Sequence, residues 1–401
     1  MTHLQKNIFS NLKTKKVPIG EIAVELKAGF SSGKFEVDEG DIAHLRPMNV
    51  DSDCKLTWIG TKYITHSLFE EKQDYKLHKG DILFNNTNST ELVGKSCLIN
   101  EDLNCGFSNH MTRIRVNTEK VHSGYLSSLF LGMFKNRTFE SYCHKWVGQS
   151  GINTEILSNI PVPVPSLPEQ TRIAELFQSI ETVIEQAEQQ EKNLLNLKNQ
   201  LLRELFGEKM QFGNSLKEKD FERVKFEQIA FNISDRVEPN ETDLKTYVGL
   251  EHLDGDNLKI ERTGKPNDVI GTKLKIYIGD IIFGKRRAYL RKVAVSHFDG
   301  IASAHSMILR ANEKYVEKSF LPFFMQSDTF MQRAIQISEG SLSPTIKWKT
   351  LAAQEFVIPK KEKQKQLSEV FEQFDETRYL IKTQIQTLKN LKQKLLNEIL
   401  E

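Results

Sequence analysis

LLNLKNQLLRELF at 194–206 lies over LKNLKQKLLNEIL at 388–400, and this match decides the fold. Leu194, Leu197, Leu201 and Leu202 fall on Leu388, Leu391, Leu395 and Leu396. Carried backwards without a gap, it sets Gln170 on Gln364, Ile173 on Leu367, Phe177 on Phe371 and Ile180 on Phe374. Upstream of each copy, further blocks recur in the same order. VPVP (162–165) answers FVIP (356–359), LHKGDILF (77–84) answers IYIGDIIF (276–283), and VPIGEIA (17–23) answers VKFEQIA (224–230). Ser108, His110, Arg115 and Asn117 answer Ser303, His305, Arg310 and Asn312. A constant offset marks an uninterrupted element, and drifting offsets mark a shared framework with loops of different length. The chain reads as globular domain, long helix, globular domain, long helix.

The helices carry their own pattern. Residues 167–209 contain no Pro after Pro168 and no Gly before Gly207. Pro168 suits a first helical turn, where a missing N–H costs nothing. Ile173, Leu176, Ile180, Val183, Ala187, Leu194, Leu197 and Leu201 alternate at spacings of three and four, with Gln190 a polar d position. Leu367, Val370, Phe374, Ile381, Leu388, Leu391 and Leu395 repeat the pattern, with Thr377 and Gln384 polar. This is the a/d seam of a coiled coil. Each helix is ~60 Å long at ~1.5 Å per residue, too long to bury its stripe on a small domain. The expected partner of each is the other, antiparallel; pairing with a second copy of the chain is the alternative. Apolar residues also stand at e positions: Phe177, Ile184, Leu205, Phe371, Ile385 and Ile399. Helices from a partner protein, or end contacts with the globular domains, would cover them.

In both domains a Gly-Asp turn leads into a short buried strand, and the strand runs into a polar loop. The first loop is NNTNSTELVGK (85–95), with Asn85, Asn86, Thr87, Asn88, Ser89, Thr90 and Lys95 as candidate contacts. Asn bonds adenine bidentately, and Thr offers a hydroxyl and a methyl. The second is GKRRAYLRK (284–292), with Lys285, Arg286, Arg287, Arg291 and Lys292 around Tyr289. Cations interleaved with an aromatic suit phosphate contact and stacking. A second pair of segments precedes each long helix: VGQSGINTEIL (147–157), with Gln149, Ser150 and Asn153, and GSLSPTIKWKTL (340–351), with Ser341, Ser343, Lys347 and Lys349. Asn153 or Thr345 also suits a helix cap. Unlike loops at like sites are what one framework needs to read two DNA sequences. Tyr125–Lys135 and Phe320–Arg333 read as amphipathic helices.

Composition bounds the rest. The 401 residues carry 55 Lys+Arg against 53 Asp+Glu, a net charge of +2, so any basic surface is local. No apolar run suits a signal peptide or a membrane span. Cys54, Cys97, Cys105 and Cys143 show no C-x-x-C spacing, which fits a reduced cytoplasmic chain. Catalytic motifs are missing. Gly94-Lys95-Ser96 lacks the upstream glycine of a phosphate loop, since Ser89 stands there. No Gly-x-Gly opens a helix, no metal spacing joins the histidines, and Glu25-x-Lys27 is an isolated nuclease-like fragment. His110 and His305 read as framework histidines.

VGQSGINTEILSNIPVPVPSLPEQTRIAELF, GSLSPTIKWKTLAAQEFVIP and GDIIFGKRRAYLRKVAV (279–295) together resemble the specificity subunit of a type I restriction–modification system, over essentially the whole chain. PKKEKQKQL (359–367) departs from the P-x-LPEQ pattern but keeps Gln364 and the apolar phase. The resemblance implies an α+β fold of two mixed target-recognition domains separated by two antiparallel coiled-coil helices, a pseudo-two-fold repeat. The expected boundaries are 1–166 and 210–360 for the domains, and 167–209 and 361–401 for the spacer helices. It implies a non-catalytic DNA-binding subunit in which each domain reads half of a bipartite duplex target and the helices set the gap. The implied partners are two methyltransferase subunits and two motor-nuclease subunits. S-adenosylmethionine, ATP and Mg belong to those partners, with no cofactor or metal in this chain. A non-catalytic two-headed adaptor that binds other proteins is the alternative.

Overall fold

The computed structural model describes residues 14–37, 42–207, 212 and 216–400. The expected boundary at residues 209 and 210, and the chain ends at 1–13 and 401, lie outside the described residues. The chain forms two compact units, residues 1–186 with 384–401, and residues 187–383. The long helices are Leu167–Phe206 and Lys361–Glu398, and each contributes one part to each unit.

Each unit has its own four-stranded antiparallel sheet of the same strand order. In the first, Ile82–Asn85 lies between Met111–Val116 and Ser96–Leu98, with Ala23–Ala28 beyond Met111–Val116. In the second, Ile281–Phe283 lies between Met307–Ala311 and Val293–Val295, with Ala230–Ile233 outermost. Ile82–Phe84 and Ile281–Phe283 are apolar at every position because both faces are covered. Ile82 and Phe84 enter one core cluster and Leu83 another, while Ile281 and Phe283 are likewise divided from Ile282. A second sheet in each unit is built on a parallel pair: Ile42–Leu45 with Cys105–Phe107, and Tyr247–Val248 with Gly300–Ala302. Here the units diverge. Lys62–Ile64 joins beside Ile42–Leu45, whereas Lys273–Ile276 joins beside Gly300–Ala302.

The residues matched between the repeats are the ones that fasten this frame. Gly80 and Gly279 sit at φ +92° and +90°, a region that favours glycine. The following Asp accepts a backbone N–H across the turn: His78 N to Asp81 Oδ2 at 2.8 Å, and Tyr277 N to Asp280 Oδ2 at 2.9 Å. Each buried carboxylate then receives a two-pronged arginine. Arg115 reaches Asp81 at 2.8 and 2.8 Å, and Arg310 reaches Asp280 at 2.7 and 3.0 Å. Gln170 and Gln364 are fully buried at the start of the long helices. Gln170 accepts His122 N and donates to the Pro165 carbonyl; Gln364 accepts Glu317 N and donates to the Pro359 carbonyl. At the start of the first helix Ser166 donates to Glu169 Oε2 from its backbone N–H at 3.0 Å and from its hydroxyl at 2.7 Å. The nuclease-like fragment is also framework: Glu25 pairs with the buried Arg113, and Lys27 with Asp74.

The seam is phased differently from the expected a/d pattern. The a positions hold: Ile173 and Ile180 are buried, and Leu194, Leu201, Phe374, Ile381 and Leu388 are half-buried, as Leu367 and Leu395 are buried. Their expected d partners turn outward. Val183, Leu197 and Leu391 are exposed, as are Gln190, Thr377 and Gln384, and Leu176 and Val370 are only half-buried. The e positions enter instead. Phe177, Ile184 and Ile399 pack in the first unit's core, with Ile385 against it, and Leu205 and Phe371 pack in the second unit's core. The globular elements of the same unit cover them.

This phase places charges inside. In the second unit, Lys198 Nζ bonds Asp375 Oδ1 at 2.6 Å, and Arg378 pairs with Glu191 and, at 2.7 Å, with Asp256. In the first, Glu181 pairs with Lys392 and Lys55. Lys198 is the repeat mate of Lys392, and Asp375 of Glu181, so these two ion pairs are one pair written twice. The mates of Arg378 and Glu191 are Ile184 and Ile385, so the repeat is broken there. The helix expected over Phe320–Arg333 is two, Leu321–Gln326 and Asp328–Gln336, because Ser327 is extended and caps the second by accepting Phe330 N at 3.2 Å.

Candidate nucleic-acid interface

In each unit the polar loop and the pre-helix segment meet. Ile152 N donates to the Asn86 carbonyl at 2.8 Å, and Ile346 N donates to the Lys285 carbonyl at 2.9 Å. Thr87 and Asn88 pair with Gly151 and Ser150; Arg286 bridges Thr345, and Arg287 N donates to the Pro344 carbonyl at 2.8 Å. Asn86, Thr87 and Asn88 therefore stand where Lys285, Arg286 and Arg287 stand. One backbone frame presents amides and hydroxyls in one unit, and guanidinium groups in the other.

Several expected contact residues serve the frame instead. Asn85 is fully buried and donates to the Leu92 carbonyl at 2.8 Å. Asn86 is buried and donates to the Asn109 carbonyl and to Thr112 Oγ1. Lys95 is buried, and desolvation lowers the pKa of its ammonium. Ser150 is buried against Thr90, with their hydroxyls 2.7 Å apart. Arg291 is held by Asp328 at 2.9 Å and the Gln326 carbonyl at 2.6 Å, and Lys292 by the Leu250 carbonyl. Each of these six is buried or held by a partner within its own unit.

What remains at the first edge is Thr87, Asn88, Ser89 and Thr90, half-buried, with Gln149 and Asn153 exposed. Asn153 Oδ1 caps the helix Thr154–Asn159 through Ile156 N at 2.8 Å, while Thr345 Oγ1 stays within its own turn. At the second edge Arg287, Tyr289, Ser341, Lys347 and Lys349 are exposed, and Lys285, Arg286 and Ser343 half-buried. Lys347 pairs with Glu339 at 2.6 Å. Arg287 and Arg291, at φ 58° and 55°, bracket the turn Ala288–Leu290. A left-handed non-glycine residue costs on the order of 1–2 kcal/mol, and here the strained turn throws Tyr289 outward.

Two groups at these edges were not read from the sequence. His305 is exposed, and its Nε2 lies 3.2 Å from Arg286 Nη1, so it belongs to the edge rather than the framework. Burial, then Arg286, Lys285 and Lys273, lower its pKa. The neutral ring accepts the guanidinium N–H on Nε2. The other group is the hairpin His144–Trp146 with Gln149–Gly151, whose register sets Trp146 opposite Gln149. Its signal was Trp146, one residue before the segment matched in the repeat. Between the hairpin and Thr154–Asn159 lies a cavity of about 610 Å³ lined by Tyr142, His144, Trp146, Asn153, Glu155 and Asn159.

Among the described residues, no three His, Cys, Asp or Glu side chains are placed to hold a metal ion, and no helix is long and apolar enough to cross a membrane. The four cysteines are free thiols. The family profile of the type I restriction modification DNA specificity domain matches residues 12–197 and 244–390. The chain belongs to that family. It is 24% identical over 366 residues to a proposed specificity subunit of the type I restriction enzyme MjaX of Methanocaldococcus jannaschii, covering 87% of this chain and 84% of that one. It is 21% identical over 295 residues to the MjaVIII specificity subunit of the same organism, covering 68% of each. The fold is that of the type I restriction-modification S subunit from M. genitalium, with a TM-score of 0.62 at 13% identity over 98% of this chain and 97% of that one.

Proposed function

We propose that this chain is a non-catalytic cytoplasmic subunit that selects the DNA target of a type I restriction–modification complex. Each domain reads one half of a bipartite duplex site. The long helices set the gap and dock two methyltransferase subunits, and two motor-nuclease subunits complete the assembly. S-adenosylmethionine, ATP and Mg act in those partners, and no cofactor acts here. The observation that carries this reading is the identical hydrogen-bonded frame presenting Thr87 and Asn88 in one unit and Arg286 and Arg287 in the other. Arg reads guanine through O6 and N7, and Asn reads adenine through N6 and N7.

The test is to map methylated adenines in cells carrying the chain and its methyltransferase. Arg286→Ala with Arg287→Ala is expected to relax the second half-site only, at roughly 1–3 kcal/mol for each lost base contact. Thr87→Ala with Asn88→Ala is expected to relax the first half-site only. A change in the opposite half-site overturns the assignment of one edge to one half. Binding that is insensitive to salt points to a protein-binding adaptor, because phosphate contacts make affinity fall steeply with salt.

A further inference from the structure

Both reading edges end in a bare aliphatic side chain. In the first unit the hairpin turns at Val147 and Gly148, and Val147 is fully exposed. In the second, Glu339 and Thr345 bridge each other and the loop between them carries Leu342, 92% exposed. Counting back from the bonds that Ile152 and Ile346 donate sets Gly148 opposite Leu342, so the two tips stand within one residue of the same place. The segments VGQS (147–150) and SLSP (341–344) share no residue at matched positions. A single exposed aliphatic group is ordinary. Its recurrence at one place in two unlike loops, each beside the base-reading residues, is not.

The surroundings define the partner. Lys145 stands beside the first tip and Lys349 beside the second, where Glu339 at the base of the loop is paired with Lys347. Arg287 Nε reaches Ser343 Oγ at 3.4 Å beside the second tip. The first tip is braced from below: a Cβ at Gly151 would meet the Trp146 ring at 3.0 Å, and His144 packs edge-on against that ring with centroids 4.9 Å apart. An apolar point beside Lys145, Lys349 and Arg287 fits a polyanion with apolar slots, and a duplex base stack is one. We propose that Val147 and Leu342 are wedges, each entering between two stacked base pairs of its own half-site. This rests on the DNA-reading function proposed above. Insertion unstacks and kinks the duplex, and pyrimidine–purine steps yield most easily. Each wedge therefore adds sequence preference without a hydrogen bond.

The experiment places 2-aminopurine, one position at a time, through a duplex carrying the methylation-mapped target, bound by the full chain assembled with its methyltransferase subunits. Fluorescence is expected to rise severalfold at one step in each half-site. Val147→Ser is expected to abolish the rise in the first half-site only and Leu342→Ser in the second only, each weakening binding about tenfold. Val147→Met and Leu342→Met keep an apolar tip and are expected to keep the rise. A tightly bound wild-type complex with no rise at any position overturns the wedges while leaving DNA recognition intact. So do serine variants that release the methyltransferase but leave the fluorescence unchanged, which would make the tips protein-docking points. Failure of the wild-type complex to bind any duplex removes the DNA-reading function itself.

Discussion

Asp81 and Asp280 show how single side chains hold each domain. Each closes a glycine turn and neutralises an arginine from the neighbouring strand, with side chains only 2% and 1% exposed. Removing one carboxylate leaves a buried N–H and a guanidinium without their acceptor. Asp81→Ala is expected to cost about 2–4 kcal/mol, read as a shift in the urea midpoint followed by tryptophan fluorescence. A shift below ~0.5 kcal/mol, the range of a neutral surface change, would contradict that role. His44 supplies an acid-sensitive site confined to the first domain. It is 1% exposed, donates from Nε2 to the Phe30 carbonyl at 3.2 Å, and has no partner at Nδ1. Burial, with Arg46 adding to it, lowers its pKa to about 4 from an ordinary 6.5. Above pH ~6.5 the ring is neutral in folded and unfolded chains alike and adds no pH dependence. Below that the unfolded chain takes a proton the folded one resists. Stability falls by ~1.4 kcal/mol per pH unit until the folded ring also titrates, for roughly 3 kcal/mol in all. His44→Phe is expected to flatten this slope between pH 6.5 and 4 in urea titrations. A variant with the wild-type slope would assign the acid sensitivity elsewhere.

At the scale of the helices, the phase of the seam decides which substitutions matter. Leu197 and Lys198 are adjacent, and a hydropathy reading buries the leucine. The structure exposes Leu197 and buries Lys198, whose ammonium meets Asp375 and the Gln326 side chain and lies over the Phe323 ring. Desolvation lowers the Lys198 pKa while Asp375 opposes it. Leu197→Gln is expected to change the stability of the isolated chain by less than ~0.5 kcal/mol. Lys198→Ala is expected to cost ~3 kcal/mol by leaving Asp375 uncompensated. In a double-mutant cycle with Asp375→Ala, the coupling is expected to exceed the ~1 kcal/mol ceiling of exposed pairs. The reverse ranking of Leu197 and Lys198 would restore the a/d seam. Because this ion pair and Glu181–Lys392 are repeat mates, whereas Arg378–Glu191 corresponds to Ile385 and Ile184, the seam carries one charge pattern common to both units and one peculiar to the second. A buried charge pair with no equivalent in a shifted alignment specifies register.

For the whole molecule, the proposed spacer role gives a measurable length. A heptad added to each long helix in phase lengthens it by ~10.5 Å and turns the seam by only ~20°. This corresponds to about three base pairs at ~3.4 Å. Insertion after Gln190 and after Gln384 together is expected to preserve both half-site sequences and widen the gap between them. Three base pairs also rotate the duplex by ~100°, so weaker binding is expected alongside the wider gap. Methylation mapping reads both. An active double insertion that keeps the wild-type gap would show that the helices are not the ruler. Since the units share one frame, exchanging residues 85–90 for 284–289 and 147–151 for 341–345 together is expected to move the second unit's preference into the first half-site. Exchanging one segment alone is expected to fail, because the frame is formed by both.

The sequence by itself determined the duplication, the two long helices, the Gly-Asp strands and the a positions of the seam. All of these rest on local spacing: a turn glycine beside a capping Asp, an unbroken run without Pro or Gly, a repeat at fixed offset. It also marked both segments of each polar edge. The tertiary structure decided which neighbour of each a position turns inward. With apolar residues at both d and e the stripe is ambiguous by about one residue, ~100° of helix rotation. Only the globular elements packed on Phe177, Ile184, Leu205 and Phe371 resolve it. It also decided which polar residues of the loops face out. Asn86 and Thr87 are adjacent and chemically alike, yet Asn86 is consumed by a carbonyl and a hydroxyl from the strand region near residues 109–112, while Thr87 stays at the edge. Lys95 and Lys285 are both cationic, yet Lys95 is buried and Lys285 only half-buried at the edge. Such partners arrive from segments distant in the chain, so no local pattern records them.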